Sequence, residues 1–135
     1  MAIKRVKDPV LLFSDLDMDL TMDPLTKDVS AVTGENTVKR ALRNLLLFRK
    51  YDKPFHPEID AGIMDLLFEP ASPIIAFQLK RKISEMVRSY ESRVSELVVE
   101  IYDDEEQNAY KIDVQFQIQN SVEIYRTTVM IERVR

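Results

Sequence analysis

The sequence predicts an α+β fold, in which three helices pack on one face of a three-stranded antiparallel β-meander. The chain has 135 residues, of which 45% are hydrophobic, and this is enough for one domain with its own core. Apolar residues recur with a helical period up to residue 90, and from residue 96 they alternate with polar residues. We therefore expect a single domain with an irregular segment at 1–35, a helical part at 36–90 and a sheet at 96–134.

The composition excludes several classes of function. The chain has no cysteine, which excludes a disulfide scaffold and a thiolate metal site, and too few glycines for a glycine-rich phosphate loop. Its formal net charge of −4 argues against non-specific binding to nucleic acid. No apolar run reaches the roughly 18 residues of a membrane span, and no signal-peptide pattern is present. We expect a cytoplasmic product that uses no metal, cofactor, small molecule, nucleic acid or membrane.

Aspartates and apolar residues alternate near the start of the chain. The aspartates of Asp15–Asp19 have the spacing of the first calcium ligands in an EF-hand. However, Leu20 replaces the required glycine, and Thr26 replaces the bidentate glutamate. We interpret the stretch as an extended segment whose apolar side chains face inward. These side chains are Leu16, Met18 and Leu20.

The first helix is predicted from an N-cap at Asn36 or Thr37 to about Tyr51, because its apolar residues follow the i, i+3, i+4, i+7 pattern. Its opposite face is basic, which indicates either a solvated surface or contact with an acidic partner. The basic residues are Lys39, Arg40, Arg43, Arg49 and Lys50.

Proline positions predict the other two helices. Pro57 suits the first turn of a second helix that runs to about Leu67, with His56 as a cap for free backbone N–H groups. Ser72 is a predicted N-cap for the longest helix, Pro73 to Tyr90.

Three strands are predicted after the helices. Alternation begins at Glu96, a polar hairpin loop occupies 103–108, and residues 110–118 form the most regular half-buried strand. The last strand, 122–134, carries apolar residues at both parities. One set is Val122, Ile124 and Met130, and the other is Tyr125, Val129 and Ile131.

Two explanations of the last strand remain open. Either a bulge near Arg126 changes the register, or both faces are covered. A terminal strand that is apolar on both sides is a candidate for pairing with another chain.

Several short segments match one protein family in the same order along the chain. They are Phe13–Asp17, Lys27–Ser30, Val38–Lys39, Arg49–Lys50, Pro54–Glu58, Leu67–Glu69 and Tyr90–Val94. Together they resemble the baseplate wedge protein of contractile phage tails. That family also includes the corresponding subunit of type VI secretion baseplates and carries the old label "lysozyme-like". The resemblance covers roughly residues 13–102.

Two positions depart from the family pattern. The family has Glu-Pro-Arg at the junction of helix and sheet, where this chain has Glu91, Ser92 and Arg93. Serine makes a less rigid turn than proline and keeps both charges. The family also tends to have glycine at the position of Asp60, which bears on the local backbone shape.

The resemblance implies a role in assembly. The Glu-Pro-Arg turn of the family docks on the helical bundle of neighbouring wedge proteins. Here Glu91 and Arg93 would be the docking pair, Ser92 would lie between them, and Tyr90 and Val94 would pack beside them. The competing interpretation is an intramolecular surface ion pair of Glu91 with Arg93 or with Arg88.

The resemblance also implies that the C-terminal strands pair with the first ring of tail-sheath subunits and start sheath polymerisation. The pairing residues would be Val122, Ile124, Tyr125, Val129 and Ile131. The protein would then belong to the tail baseplate of a virion that is assembled in the cytoplasm of a bacterial host.

Two other classes of function remain open. A glycoside hydrolase needs two carboxylates that flank a cleft, and the candidates are Glu58, Asp65 and Glu69. The chain has no tryptophan to mark a sugar site, so we expect no enzyme. The other alternative is a general interaction adaptor.

Overall fold

The computed structural model describes residues 13–59 and 62–133. Within them the elements are β1 (Ser14–Leu16), β2 (Ala31–Thr33), α1 (Glu35–Leu47), α2 (Ile63–Leu66), α3 (Pro73–Tyr90), β3 (Val94–Asp104), β4 (Ala109–Ile118) and β5 (Ile124–Glu132). The sheet β3-β4-β5 is antiparallel, and β1 pairs with β2 in a separate small sheet. The predicted combination of helices with a three-stranded antiparallel sheet is confirmed. In the described part of the chain, no helix is both long and apolar enough to cross a bilayer.

The central strand β4 supplies the largest share of the core. Its inward-facing side chains are all buried: Tyr110, Ile112, Val114, Phe116 and Ile118. The predicted alternation is therefore correct. The helices cover this face of the sheet, with Val38, Leu42 and Leu46 from α1 and Leu79 and Ile83 from α3 in the same core.

The last strand follows neither of the two explanations that its sequence left open. Strand β5 pairs with β4 without a register shift, so the predicted bulge near Arg126 is wrong. Nor are both faces covered, because Ile124 is 68% exposed. The two apolar sets differ in parity, and one regular strand accommodates both by placing one set in the core and the other in solvent. The strand begins at Ile124, so Val122 precedes it.

The first helix is shorter than predicted at its C-terminal end. It starts at Glu35 behind Gly34, which has φ of 67°, and stops at Leu47 because Phe48 is extended. Thr37 is not the N-cap, since its hydroxyl donates a hydrogen bond to the carbonyl of Val32 at 2.9 Å.

The second helix is reduced to the short segment α2. Gly62 precedes it with φ of 61°, a left-handed conformation that interrupts any helix from Pro57. His56 does not cap it, because its Nδ1 lies 3.0 Å from Oε1 of Glu58. Residue 60, where the family has glycine, lies outside the described residues.

Helix α3 has the predicted bounds. Ser72 is its N-cap and accepts a hydrogen bond on Oγ from the N–H of Ile75 at 3.3 Å, and Pro73 opens the first turn. The buried side chains of the helix include Leu79, Ile83, Met86 and Val87. The helix thus places its last residue, Tyr90, beside the start of the sheet.

Residues 14–33 form a hairpin arm that the sequence did not predict. The expectation that its apolar side chains face inward is wrong: Leu16, Met18 and Leu20 are 63%, 70% and 66% exposed. The residue that faces the body of the domain is Asp17, which pairs with Arg40 of α1 at 2.6 Å. Strand β1 ends at Leu16, and Met18 and Leu20 lie in a turn that is closed by a hydrogen bond from the N–H of Leu20 to the carbonyl of Asp17 at 2.9 Å.

Candidate functional site

Residues 90–94 form the junction turn between the helices and the sheet. Glu91 is the C-cap of α3, and its N–H donates to the carbonyl of Val87 at 2.9 Å. The N–H of Val94 then donates to the carbonyl of Glu91 at 3.4 Å as β3 begins. The turn therefore links the two layers of the fold directly.

Glu91 and Arg93 form a bidentate ion pair inside this turn. Arg93 donates from Nε to Oε1 of Glu91 at 2.6 Å and from Nη2 to Oε2 at 2.7 Å. Its backbone N–H also donates to Oε1 at 3.3 Å. The hydrogen bonds from Arg93 to Glu91 are the main cause that raises the pKa of the Arg93 guanidinium above its ordinary value.

The competing intramolecular interpretation is therefore correct as to geometry, with Arg93 rather than Arg88 as the partner. Glu91 is only 5% exposed, so it is not the surface charge that we expected. A buried carboxylate needs such a partner, because an unpaired one would carry a large desolvation penalty. Glu91 thus acts first on Arg93, whose fork it fixes in place.

Other groups hold the turn in place of the family proline. Gln119, just beyond β4, donates from Nε2 to the carbonyl of Ser92 at 2.7 Å and from its backbone N–H to the carbonyl of Arg93 at 2.8 Å. The guanidinium carbon of Arg93 lies 5.6 Å from the ring centroid of Phe13. Contacts from two distant parts of the chain thus supply the rigidity that a fixed proline φ would give.

The five predicted docking residues divide into an outer and an inner group. Tyr90 is 43% exposed and Ser92 is exposed, while Glu91 and Val94 pack inward. The side chain of Arg93 is 24% exposed. Its N–H groups that do not face Glu91 remain suitable donors for a carboxylate or carbonyl of a partner.

The predicted pairing residues of the last strand divide in the same way. Ile124 faces solvent, Val122 is 92% exposed ahead of the strand, and Tyr125, Val129 and Ile131 pack on the core side. Strand β5 stands at the end of the order β3-β4-β5, so its outer edge has no strand partner in the described residues. That edge offers backbone groups, rather than the buried side chains, for pairing.

Sequence reasoning missed a polar network on the outer face of the sheet. Asp113 lies on that face of β4, yet it is only 1% exposed. It accepts a hydrogen bond from Oγ1 of Thr128 at 2.6 Å and a second from Arg126. The bond from Thr128, followed by Arg126, lowers the pKa of Asp113. The available signal was its register, since Asp113 stands opposite Thr128.

The hydrolase candidates do not have the environment of a general acid. Glu58, Asp65 and Glu69 are all exposed. A hydrogen bond to its own backbone N–H, and then one to His56, lower the pKa of Glu58. A general acid needs a raised pKa. Within residues 13–59 and 62–133, no cluster of three or more His, Asp or Glu side chains is arranged to hold a metal ion.

Two solved structures share this fold. A protein from Geobacter sulfurreducens, described as a tail lysozyme, superposes with a TM-score of 0.68 and 16% identity over 75% of this chain and 92% of its own. A chain of the anti-feeding prophage baseplate superposes with a TM-score of 0.60 and 15% identity over 95% of this chain and 93% of its own. At these identities the likeness is one of fold.

Sequence comparison defines the family. Residues 32–123 match the family described as "Baseplate wedge protein gp25". The baseplate wedge protein gp25 of Enterobacteria phage T4 is 38% identical over 96 residues, which are 69% of this chain and 72% of the phage protein. The chain therefore belongs to the baseplate wedge protein gp25 family, which confirms the family that the sequence resembles.

Proposed function

We propose that this baseplate protein docks on neighbouring wedge proteins through its junction turn and starts the tail sheath through strand β5. The observation that carries the docking role is the bidentate pair of Glu91 and Arg93, which fixes the Arg93 side chain, 24% exposed, at the junction of helices and sheet. The sheath role rests on the open edge of β5 and on the family resemblance. Such a protein would reach the virion tail by assembly in the host cytoplasm.

The docking contact uses Tyr90, Ser92 and Arg93, with Glu91 as the residue that positions Arg93. A turn held by several hydrogen bonds loses little conformational entropy when a partner binds. Arginine presents a planar fork that matches a carboxylate or a pair of backbone carbonyls, such as those at helix ends in a bundle. The neighbouring exposed ring of Tyr90 adds apolar contact area next to this charge.

Hydrogen exchange tests the docking site directly. When the co-expressed wedge proteins bind, we expect the amides of residues 90–94 to exchange at about one tenth of their rate in the free protein, or more slowly still. The reason is that the partner excludes water and suppresses local opening. The hairpin loop at 105–108 serves as an internal control whose exchange stays constant. Equal exchange of residues 90–94 in the free and the assembled protein would overturn the docking proposal.

The sheath contact uses the edge of β5. An added strand would bond to the free backbone groups of β5, and its outward side chains would lie next to Ile124 and Met130, which are 68% and 41% exposed. Val129 and Ile131 contribute indirectly, because they anchor the inner face of β5 to the core. On the outer face, Asp113 accepts hydrogen bonds from Thr128 and Arg126 of β5 and so stiffens the strand.

Lysine substitutions on the two outer strands test which edge is used. Ile124→Lys is expected to lower the fraction of baseplates that carry a sheath by about tenfold, because lysine opposes strand addition. The matched control is Val98→Lys, since Val98 is 52% exposed on the same face but lies on β3 at the opposite edge. Sheath counts from electron micrographs give the readout. If both variants assemble sheath normally, β5 is not the pairing edge.

The alternatives have less support. The family is one of baseplate structural proteins, and the likeness to the tail lysozyme is a likeness of fold. A general adaptor would not need the fixed geometry of the junction turn and would not respond to Ile124→Lys in a sheath assay. The exchange and sheath experiments therefore also separate the adaptor from the proposed function.

A further inference from the structure

We infer that the apolar edge of the hairpin arm (residues 14–33) is a separate docking surface for a tail protein with an apolar groove and a rim of lysine and arginine. The arm carries large apolar side chains that are between 63% and 94% exposed. They are Leu16, Met18, Leu20, Met22 and Leu25. All five fall within residues 16–25, and a concentration of exposed apolar side chains is typical of an interaction surface.

Asp17 holds the arm in one conformation. Its Oδ1 accepts hydrogen bonds from Nη1 of Arg40 at 2.6 Å and from the N–H of Asp19 at 3.2 Å, and its Oδ2 accepts one from Thr21 at 3.2 Å. Farther along, Met22 and Val29 form an antiparallel bridge. The apolar side chains are therefore presented by an ordered backbone, which lowers the entropic cost of binding.

The charges of the arm identify the chemistry of its partner. The carboxylates of Asp15, Asp19 and Asp28 are exposed between the apolar residues, and Lys27 is the one cation in 14–33. Asp17 is already neutralised by Arg40. A groove that covers the leucines and methionines must therefore offer cations at its rim, since unpaired carboxylates would oppose desolvation.

A second copy of the chain fits this surface less well than a different protein does. Each copy has a net charge of −4, so two copies repel one another at long range. The arm lies beside the junction turn, because Phe13, directly before β1, contacts Arg93. The arm surface therefore takes a partner of its own, a protein with the basic rim described above, next to the partner of the turn.

Methionine oxidation gives a local readout of this contact. Met18 and Met22 are 70% and 67% exposed in the free protein, so hydrogen peroxide oxidises them readily. In isolated baseplates we expect mass spectrometry to show that both methionines are oxidised at about one tenth of their rate in the free protein, or more slowly still. Met86 is buried and gives the slow limit of oxidation in the same sample. Unchanged oxidation of Met18 and Met22 in baseplates overturns the inference.

Charge reversal tests the chemistry of the partner. The pair Asp19→Lys and Asp28→Lys is expected to weaken incorporation into baseplates about tenfold and to restore oxidation of Met18 and Met22 in any baseplates that form. The control pair, Glu105→Lys and Glu106→Lys, makes the same charge change on the exposed β3–β4 turn and should incorporate normally. If the variant with Asp19→Lys and Asp28→Lys is incorporated normally and its methionines stay protected, the partner does not have the proposed basic rim.

Concentration separates the possible occupants. Oxidation of the purified chain alone is expected to be independent of its concentration. Protection of Met18 and Met22 that grows with concentration would assign the arm to a second copy and overturn the proposed partner. The readout is local to the arm, so it does not depend on whether the junction turn docks as proposed.

Discussion

Replacing Arg93 with alanine is expected to lower incorporation into baseplate wedges roughly a hundredfold, the effect of losing an arginine worth about 3 kcal/mol at the centre of an interface. The isolated domain should stay folded. Glu91 would lose its partner while it is buried, at a cost of about 3 kcal/mol, the lower end for a broken buried ion pair, against a typical stability of about 5–15 kcal/mol. Co-purification with co-expressed wedge proteins measures incorporation, and urea denaturation measures stability.

Three companion variants separate contact from stability. Arg88→Ala removes the same charge one turn earlier on an exposed site of α3 and should incorporate normally. Arg93→Lys keeps the charge but loses the bidentate fork, so an intermediate defect is expected. The double variant Glu91→Gln, Arg93→Ala removes the stranded charge and should regain stability without regaining incorporation. Wild-type incorporation of Arg93→Ala would remove the docking role from the turn.

Regular burial explains which elements the sequence predicted well. The alternation of apolar and polar residues over 110–118 predicts strand β4 correctly. One face of this strand packs on the core, so its apolar residues recur at every second position. The bounds of α3 were correct because Ser72 and Pro73 act locally, through a side-chain hydrogen bond and a fixed φ. In both cases the signal lies in the same residues that form the structure.

The errors have the opposite origin. The hairpin arm alternates like a buried strand, but Leu16 and Met18 are exposed in the free chain, and no pattern shows whether a core or a partner is to cover them. The second helix fails at Gly62, whose left-handed backbone outweighs the helical spacing around it. Long-range geometry decides such positions.

The junction turn combines both situations. The sequence shows that the turn lies where the spacing of apolar residues changes from helical to alternating, and it shows both charges. Its burial was not, because Glu91 pairs with Arg93 across a C-cap turn, at a spacing that is not a helical one. Nor could the sequence show that Gln119, far along the chain, holds the carbonyl of Ser92. The family resemblance indicated this turn as a candidate site, and the ion pair is the reason why we propose that Glu91 positions Arg93.

The largest loss of stability is expected for Phe116→Ala. Phe116 is 1% exposed on the central strand, and its ring centroid lies 5.9 Å from that of Tyr125 on β5. Truncation removes the buried ring and leaves a cavity, at a cost of about 3–5 kcal/mol. Urea denaturation should show this difference in the free energy of unfolding. Val98→Ala on the exposed face of the same sheet is the control, with an expected change within about 0.5 kcal/mol.

The same variant distinguishes residues that support the surface from residues that form it. Phe116 faces the core from β4 and is too buried to touch a partner, so its variant should fail in assembly only where much of the chain is unfolded. We expect Phe116→Ala to regain incorporation as the temperature is lowered, whereas Arg93→Ala stays defective at every temperature at which it is folded. A free energy of unfolding for Phe116→Ala within about 1 kcal/mol of the wild type would show that the core closes around the missing ring. If Arg93→Ala regained incorporation at low temperature, its defect would be one of stability. The proposal that the junction turn contacts a partner directly would then be wrong.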